Sequence, residues 1–167
     1  MIFTGSITAA GKGDIAVIRD IALSVWPQVY SEILSAEQIA YMMDMMYAPE
    51  VISDELDSGF YWFIIKSEDG EDTGYISVYF PEEKVCKLDK IYIKPQFRRT
   101  GAGRAAVKFI STFASSRGAL KLILNVNKNN VAAQAAYKSY GFRHLRDETN
   151  DIGNNYVMDD FVLFLDI

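Results

Sequence analysis

The spacing of apolar positions changes along the chain. Ile15, Ile18, Ile21, Ala22, Val25 and Val29 recur at helical intervals behind Asp14, which reads as an N-cap after Gly13. Ser35 followed by Gln38 has the capping-box spacing and opens a second helix with Ile39, Met42, Met43 and Met46 on one side. The methionines read as core filling or as the floor of an acceptor pocket. Pro49 stops that helix, and Asp54, Glu55, Asp57 and Gly59 mark a polar connection. The pattern then turns strand-like. Phe60 to Lys66 is aromatic and β-branched, Glu68 to Asp72 is a turn, and Thr73 to Phe80 alternates like a partner strand. Pro81-Glu82-Glu83 predicts another turn, and a third strand runs from about Val85 to Ile93 until Pro95.

A helix is expected from about Gly101 to Ser116, with Val107, Ile110, Phe113 and Ala114 on its buried side and Gly118 as its stop. Leu120 to Val126 reads as a strand, and Asn130 to Tyr140 as an Ala-rich helix stopped by Gly141. Phe142 onward and Tyr156 to Leu165 predict two last strands. The order is helices, three strands, and a closing β-α-β-α-β-β run. Its strand–helix–strand unit implies a parallel pair inside a mixed sheet of an α/β protein. With 167 residues and no repeat or linker, residues 1–167 are expected to form a single domain.

Composition narrows the function classes. Half the residues are hydrophobic and 13% aromatic, enough for a sizeable core. The net charge of −5 argues against a nucleic-acid binder, whose phosphate contacts need a cationic face, and suits a cationic substrate. Cys86 and His144 are single residues of their types, so no internal disulfide and no Cys/His zinc cage can form. No metal is expected. The start of the chain lacks a signal-peptide pattern, and Phe60 to Ile65, the longest dense apolar run, is far too short to span a bilayer. A cytoplasmic protein that binds no membrane is the expectation, with a homodimer left open.

The chemistry concentrates in Ile91-Tyr92-Ile93-Lys94-Pro95-Gln96-Phe97-Arg98-Arg99-Thr100-Gly101-Ala102-Gly103-Arg104. A strand ends at Pro95, a short loop follows, and small residues open a helix whose first-turn N–H groups can hold a phosphate. Gly101 and Gly103 let a ligand approach the backbone. Arg98, Arg99 and Arg104 gather three cations in an acidic protein. Together these outline a pyrophosphate cradle. A nucleoside-triphosphate loop is disfavoured, because no Gly-Lys-Ser/Thr follows, and a Rossmann site lacks its third glycine, with Ala106 in that place.

Arg98-x-x-Gly101-x-Gly103 resembles the Gln/Arg-x-x-Gly-x-Gly/Ala signature of the GCN5-related N-acetyltransferases (GNAT), and Ile91-Tyr92-Ile93-x-Pro95 resembles that family's preceding strand. The downstream Leu124-Asn125-Val126-Asn127-x-x-Asn130-x-x-Ala133-x-x-x-Tyr137-x-x-x-Gly141-Phe142 is similar to the same family's second motif. Asn130 can cap that helix, and Ala133 and Tyr137, four apart, share one face. The stretches Val25 to Tyr47 and Tyr156 to Phe161 look most like bacterial small-amine acetyltransferases, polyamine-acetylating ones included. The resemblance implies a GNAT fold, with a mixed sheet of six to seven strands and about four helices. It also implies acetyl-CoA as acyl donor and a small-molecule amine as acceptor. The strand at Ile91, Tyr92 and Ile93 would pair with the pantetheine arm, and the amides of Arg98, Arg99, Thr100, Gly101, Ala102, Gly103 and Arg104 would bind the pyrophosphate. Asn130 and Ala133 would flank the arm, and Tyr137 would protonate the departing thiolate.

The general base is where the chain departs from the pattern. Many relatives carry a Glu where this chain has Lys87. Asp89, Asp159, Asp160 and a water chain remain as candidates, and the base is unassigned at this level. Direct attack by the amine is expected, with oxyanion donors among the amides near Ile91 to Ile93. Two alternatives stand beside this expectation: a protein N-terminal or lysine acetyltransferase, and a catalytically silent acyl-CoA-binding sensor on the same fold.

Overall fold

The computed structural model describes residues 2–167. Its elements are β1 (Ser6–Ala9), α1 (Ile15–Tyr30), α2 (Ala36–Tyr47), α3 (Pro49–Asp57), β2 (Tyr61–Lys66), β3 (Asp72–Glu82), β4 (Val85–Ile93), α4 (Ala102–Ser115), β5 (Lys121–Asn127), α5 (Val131–Ser139), β6 (Arg143–Gly153) and β7 (Tyr156–Asp166). One seven-stranded sheet has the order β1-β2-β3-β4-β5-β7-β6. The β4–β5 pair is parallel and every other pair is antiparallel.

Helices cover both faces, so the sheet's central strands read as unbroken apolar runs rather than alternating ones. In β2, Trp62 and Ile64 join Ile18, Val25, Trp26, Met42 and Ile52 beneath α1–α3, while Phe63 and Ile65 join Val107 and Ile110 beneath α4. Met42 is fully buried, which settles core filling for that methionine. Capping follows the sequence at α2 and α5 but not at α1. Ser35 Oγ accepts from the Gln38 amide at 3.1 Å, and Asn130 Oδ1 accepts from the Ala133 amide at 3.2 Å. Asp14 stands at the N-cap position of α1, but its carboxylate accepts from the Gly11 amide at 2.9 Å instead. The Gln38 side chain donates to Val157 O rather than closing a capping box.

Three local expectations change. Pro49 ends α2 but also opens α3, because a helix's first position needs no N–H donor. Asp54, Glu55 and Asp57 therefore lie on a helix, not on a polar connection, and the described residues form five α-helices. Strand β3 runs through Pro81 to Glu82, and the reversal falls at Glu83 and Lys84, with Lys84 at φ +65°. A short first strand, β1, pairs with β2 and had no alternating signal to announce it.

The feature that shapes the site is a bulge in β4. Ser77 pairs with Lys90 and Val78 with Leu88, so Asp89 is the extra residue. One inserted residue flips the parity of the side chains beyond it and bends the strand. Cys86 and Leu88 belong to the core under α4 and α5. Past the bulge Ile91 and Ile93 pack on that core, and Tyr92 packs on the opposite one. Lys90 turns inward, 5% exposed, its ammonium 5.0 Å from the Trp62 ring centre. It is paired with Asp89 and, at 3.3 Å, with Glu55, which ties α3 to the bulge.

Candidate active site

Strands β4 and β5 stay paired only at Val85–Lys121, Cys86–Leu122 and Lys87–Ile123, and diverge beyond. Past Lys87 the β5-facing edge of β4 is without a strand partner. The Lys94 amide donates to Thr73 O on β3, and backbone groups alternate in direction along a strand. The backbone groups of Ile93 and Ile91 consequently face the gap. The Ile93 carbonyl shows this directly, accepting from Arg98 Nε at 3.1 Å.

The gap is a cavity of about 350 Å³ that runs through the sheet. Ala133 and Tyr137 of α5 and Tyr140 at its C-cap line it on one side, Gln28, Val29 and Tyr30 of α1 on the other, and Ile91 to Ile93, Leu124 and Asn125 form its strand walls. Arg98, Gly103 and Asn130 lie at its mouth. Of the residues singled out from sequence, the structure thus gathers Ile91, Tyr92, Ile93, Arg98, Gly103, Asn130, Ala133 and Tyr137 around one cavity.

The remaining candidates form the loop and first turn beside the mouth. Gly101, the N-cap of α4, adopts φ +88°, and Arg99 is also left-handed at φ +61°. These two left-handed residues turn the chain sharply into α4, whose first-turn amides are free of helical partners and could hold an anion. Thr100 Oγ1 donates to Phe97 O at 2.7 Å and pins the loop, while Ala102 is buried. Gly103 has a packing reason of its own, since a Cβ there would stand 2.6 Å from Tyr140 Oη. Arg104 is engaged elsewhere. Its guanidinium donates to Ser139 O at 3.0 Å and lies 5.2 Å from the Tyr140 ring centre, clamping α4 to α5. Arg99 makes no side-chain hydrogen bond or ion pair among the described residues.

Tyr137 packs edge-on against Phe142, with ring centres 5.7 Å apart. Burial pushes its phenol above the usual value, so it stays protonated at neutral pH. No hydrogen bond among the described residues engages its hydroxyl, which leaves the proton available to a ligand in the cavity. On the α1 side, Tyr30 and Tyr92 share a hydroxyl–hydroxyl bond of 2.8 Å.

A polar band crosses the sheet on that same α1 side. Lys87 donates to Asn125 Oδ1, and Asn125 Nδ2 donates to Glu148 at 2.7 Å and to Asp160 at 3.4 Å. Burial lowers the Lys87 ammonium from its usual value. Hydrogen bonds from Asn125, Asn150 and Arg146 hold Glu148 at about 2. The acidic residues are spread over several environments. Asp57 pairs with Lys12 and Asp159 with Lys128 at the surface, Glu55 meets Lys90, and the carboxylates near the cavity are Asp89, Glu148 and Asp160. Tyr30, Leu88 and Tyr140 were not singled out from sequence, because no local motif brings them to the site, and Asn125 stood within the second motif without a role assigned to it.

Splayed parallel strands, an unpaired β4 edge and an amide-lined loop opening α4 together fit an elongated thioester ending in a pyrophosphate, and define an acyl-coenzyme A-dependent transferase. The chain belongs to the acetyltransferase (GNAT) family, which it matches over residues 19–142. It is an N-acetyltransferase that uses acetyl-CoA as co-substrate. An uncharacterized N-acetyltransferase from Mycobacterium tuberculosis is 27% identical over 142 residues, covering 83% of this chain and 91% of that protein. Among solved structures, PaiA N-acetyltransferase from Thermoplasma acidophilum in complex with coenzyme A superposes with a TM-score of 0.84 at 19% identity, covering 99% of this chain and 100% of that one. The ribosomal-protein-S18-alanine N-acetyltransferase from Escherichia coli gives 0.72 at 18% identity, over 98% of this chain and 94% of that one. At these identities the likeness to the solved structures is one of fold. Among the described residues no helix is long and apolar enough to cross a membrane, and no group of acidic, His or Cys side chains is arranged to hold a metal.

Proposed function

We propose that the chain acetylates a small cationic primary amine by direct attack on acetyl-CoA, with no covalent enzyme intermediate. The observation that carries the acceptor class is the polar band where the cavity reaches the α1 side. Asp89 and Asn125 line the cavity there, and Glu148 and Asp160 hydrogen-bond to Asn125. A carboxylate-rich, partly desolvated end favours an ammonium over a neutral or anionic acceptor.

In this reading the Ile91 and Ile93 backbone holds the pantetheine arm, and the loop from Arg98 to Gly103 holds the pyrophosphate. Tyr137, on the α5 side, protonates the departing sulfur while the amine arrives from the α1 side. The hydroxyl of Tyr137, unengaged among the described residues, favours an enzyme over a silent acyl-CoA sensor. A single buried thiol, Cys86, suits a reducing cytoplasm, where this proposal places the protein.

The acceptor class has a direct test. With acetyl-CoA saturating, kcat/KM for a short alkyl diamine is expected to exceed that for a neutral acceptor of similar length. The preference should shrink as salt rises, since the screening length falls from about 10 Å at 0.1 M to about 3 Å at 1 M. Faster acetylation of anionic acceptors, or of peptide N-termini over diamines, would contradict the small-cation reading.

A further inference from the structure

We propose that Asp160 is the base that takes the proton from the acceptor amine, a role that rests on the acetyltransferase reading above. Every other carboxylate near the cavity is already engaged. Asp89 is paired with Lys90 and accepts from Ser77 Oγ at 3.3 Å. Glu148 accepts from Asn125, Asn150 and Arg146. Glu55 accepts from Trp62 Nε1 and Lys90. Asp159, next in the chain, is a surface group held by Lys128 at 2.7 Å and by Thr149. Lys87, in the position where many relatives carry a Glu, donates its proton to Asn125.

Asp160 differs from all of these. It is 3% exposed, and among the described residues no cation is bonded to it and its Oδ2 accepts only from Asn125, at 3.4 Å. Its Oδ1 is the one buried side-chain N or O atom among the described residues without a hydrogen-bond partner. A buried oxygen without a donor is unfavourable unless something else supplies one. Asn125 lines the cavity and donates to Asp160 Oδ2, so the carboxylate lies one hydrogen bond behind the cavity wall. In this proposal an amine seated beside Asn125 supplies the donor that Oδ1 lacks. Tyr30, on the opposite wall, is close enough to register the charge: burial and, after it, the Asp160 carboxylate push its phenol up.

The electrostatics suit the role. Burial raises the Asp160 carboxyl, Glu148 and Asp159 add to the rise, and the Asn125 hydrogen bond and the Lys87 charge oppose it. The same dry surroundings disfavour an ammonium, so the two groups approach each other in proton affinity from both sides. Asp160 takes one proton from the ammonium and later releases it to solvent. The freed nitrogen lone pair forms the bond to the thioester carbon, and the carbon–sulfur bond breaks as Tyr137 gives its proton to sulfur. The phenol recovers a proton from the new amide nitrogen. One proton therefore leaves to solvent and one ends on the thiol, giving amide and free coenzyme A.

Asp160→Asn and Asp159→Asn can be compared with wild type in thiol-release kinetics, with putrescine as acceptor, from acid to mildly alkaline pH. In Asp160→Asn, kcat/KM for the amine is expected to fall roughly 10²-fold or more, with the acid limb of the profile lost. Coenzyme A affinity by calorimetry should be unchanged, and Asp159→Asn should behave as wild type. Asp160→Glu, which keeps a carboxylate, should recover part of the rate. Stability gives the control. A carboxyl raised on folding weakens the fold as pH climbs from its unfolded value through its folded one. Asp160→Asn should accordingly melt higher than wild type at neutral pH, with the gain fading in acid. Unimpaired turnover in Asp160→Asn, a parallel loss of coenzyme A affinity, or a lower melting temperature at neutral pH would overturn the base assignment. Absence of any amine acetylation by wild type would instead overturn the enzyme reading itself.

Discussion

Tyr137→Phe should lower kcat by about 10²-fold while leaving coenzyme A affinity nearly unchanged. The substitution keeps the ring and its edge-on packing against Phe142 and Tyr140 and removes only the hydroxyl. Since none of the described residues bonds that hydroxyl, its loss breaks no hydrogen bond among them. General-acid help contributes roughly 10²–10⁴-fold. The low end is expected because a thiol titrates near about 8.5 and its thiolate is a tolerable leaving group unaided. The comparison belongs on kcat at saturating acetyl-CoA, with affinity measured separately by calorimetry. Full activity in Tyr137→Phe would return the residue to a packing role, and a loss confined to cofactor affinity would make it a binding residue only.

Gly101→Val should weaken coenzyme A binding by about 10²-fold or more. At φ +88° the glycine occupies the left-handed region, where a side chain costs roughly 1–2 kcal/mol, more for a β-branched one. Relief of that strain turns the amides of the loop and of the first turn of α4 away from their common focus. Each charge-assisted bond to a phosphate contributes on the order of 1.5–3 kcal/mol, so losing two accounts for the factor. Gly118 supplies a matched control. It sits past the other end of α4 at φ +87°, where an added Cβ would meet nothing within 4 Å. Gly118→Val should cost similar stability and leave coenzyme A affinity intact. Calorimetric titration of both variants separates loop geometry from general destabilisation, and equal affinity in Gly101→Val and wild type would remove the loop from the phosphate site.

The parts of this molecule that local chemistry dictates could be read from sequence. Ser35 and Asn130 cap the helices they were expected to cap, because a short polar side chain before an apolar run has few better uses. Gly101 marks the start of α4 because the chain must pass through a left-handed conformation there. The parallel pairing of β4 with β5 follows from a strand–helix–strand unit, though the divergence beyond Lys87 does not.

Features that depend on partners distant in sequence were hidden. The Asp89 bulge is defined by register against β3, and nothing within Val85 to Ile93 announces it. Glu55, in sequence an acid of a polar connection, becomes a helical residue that meets Lys90 only because α3 packs over β2. The Lys87–Asn125–Asp160 band draws one residue from each of β4, β5 and β7, so a chain-order reading grouped Asp160 with its neighbour Asp159 when the two point to different environments. Strand alternation accounts for that split, since adjacent residues face opposite sides of the sheet.

The central claim is amine acetylation from acetyl-CoA at the β4–β5 gap. It is tested most directly by incubating the protein with acetyl-CoA and a panel of primary amines and detecting free thiol, with the acetylated product identified by mass. The account predicts amine-dependent thiol release, fastest with a short diamine. Tight coenzyme A binding with no thiol release above the rate without acceptor, for any amine in the panel, would contradict it.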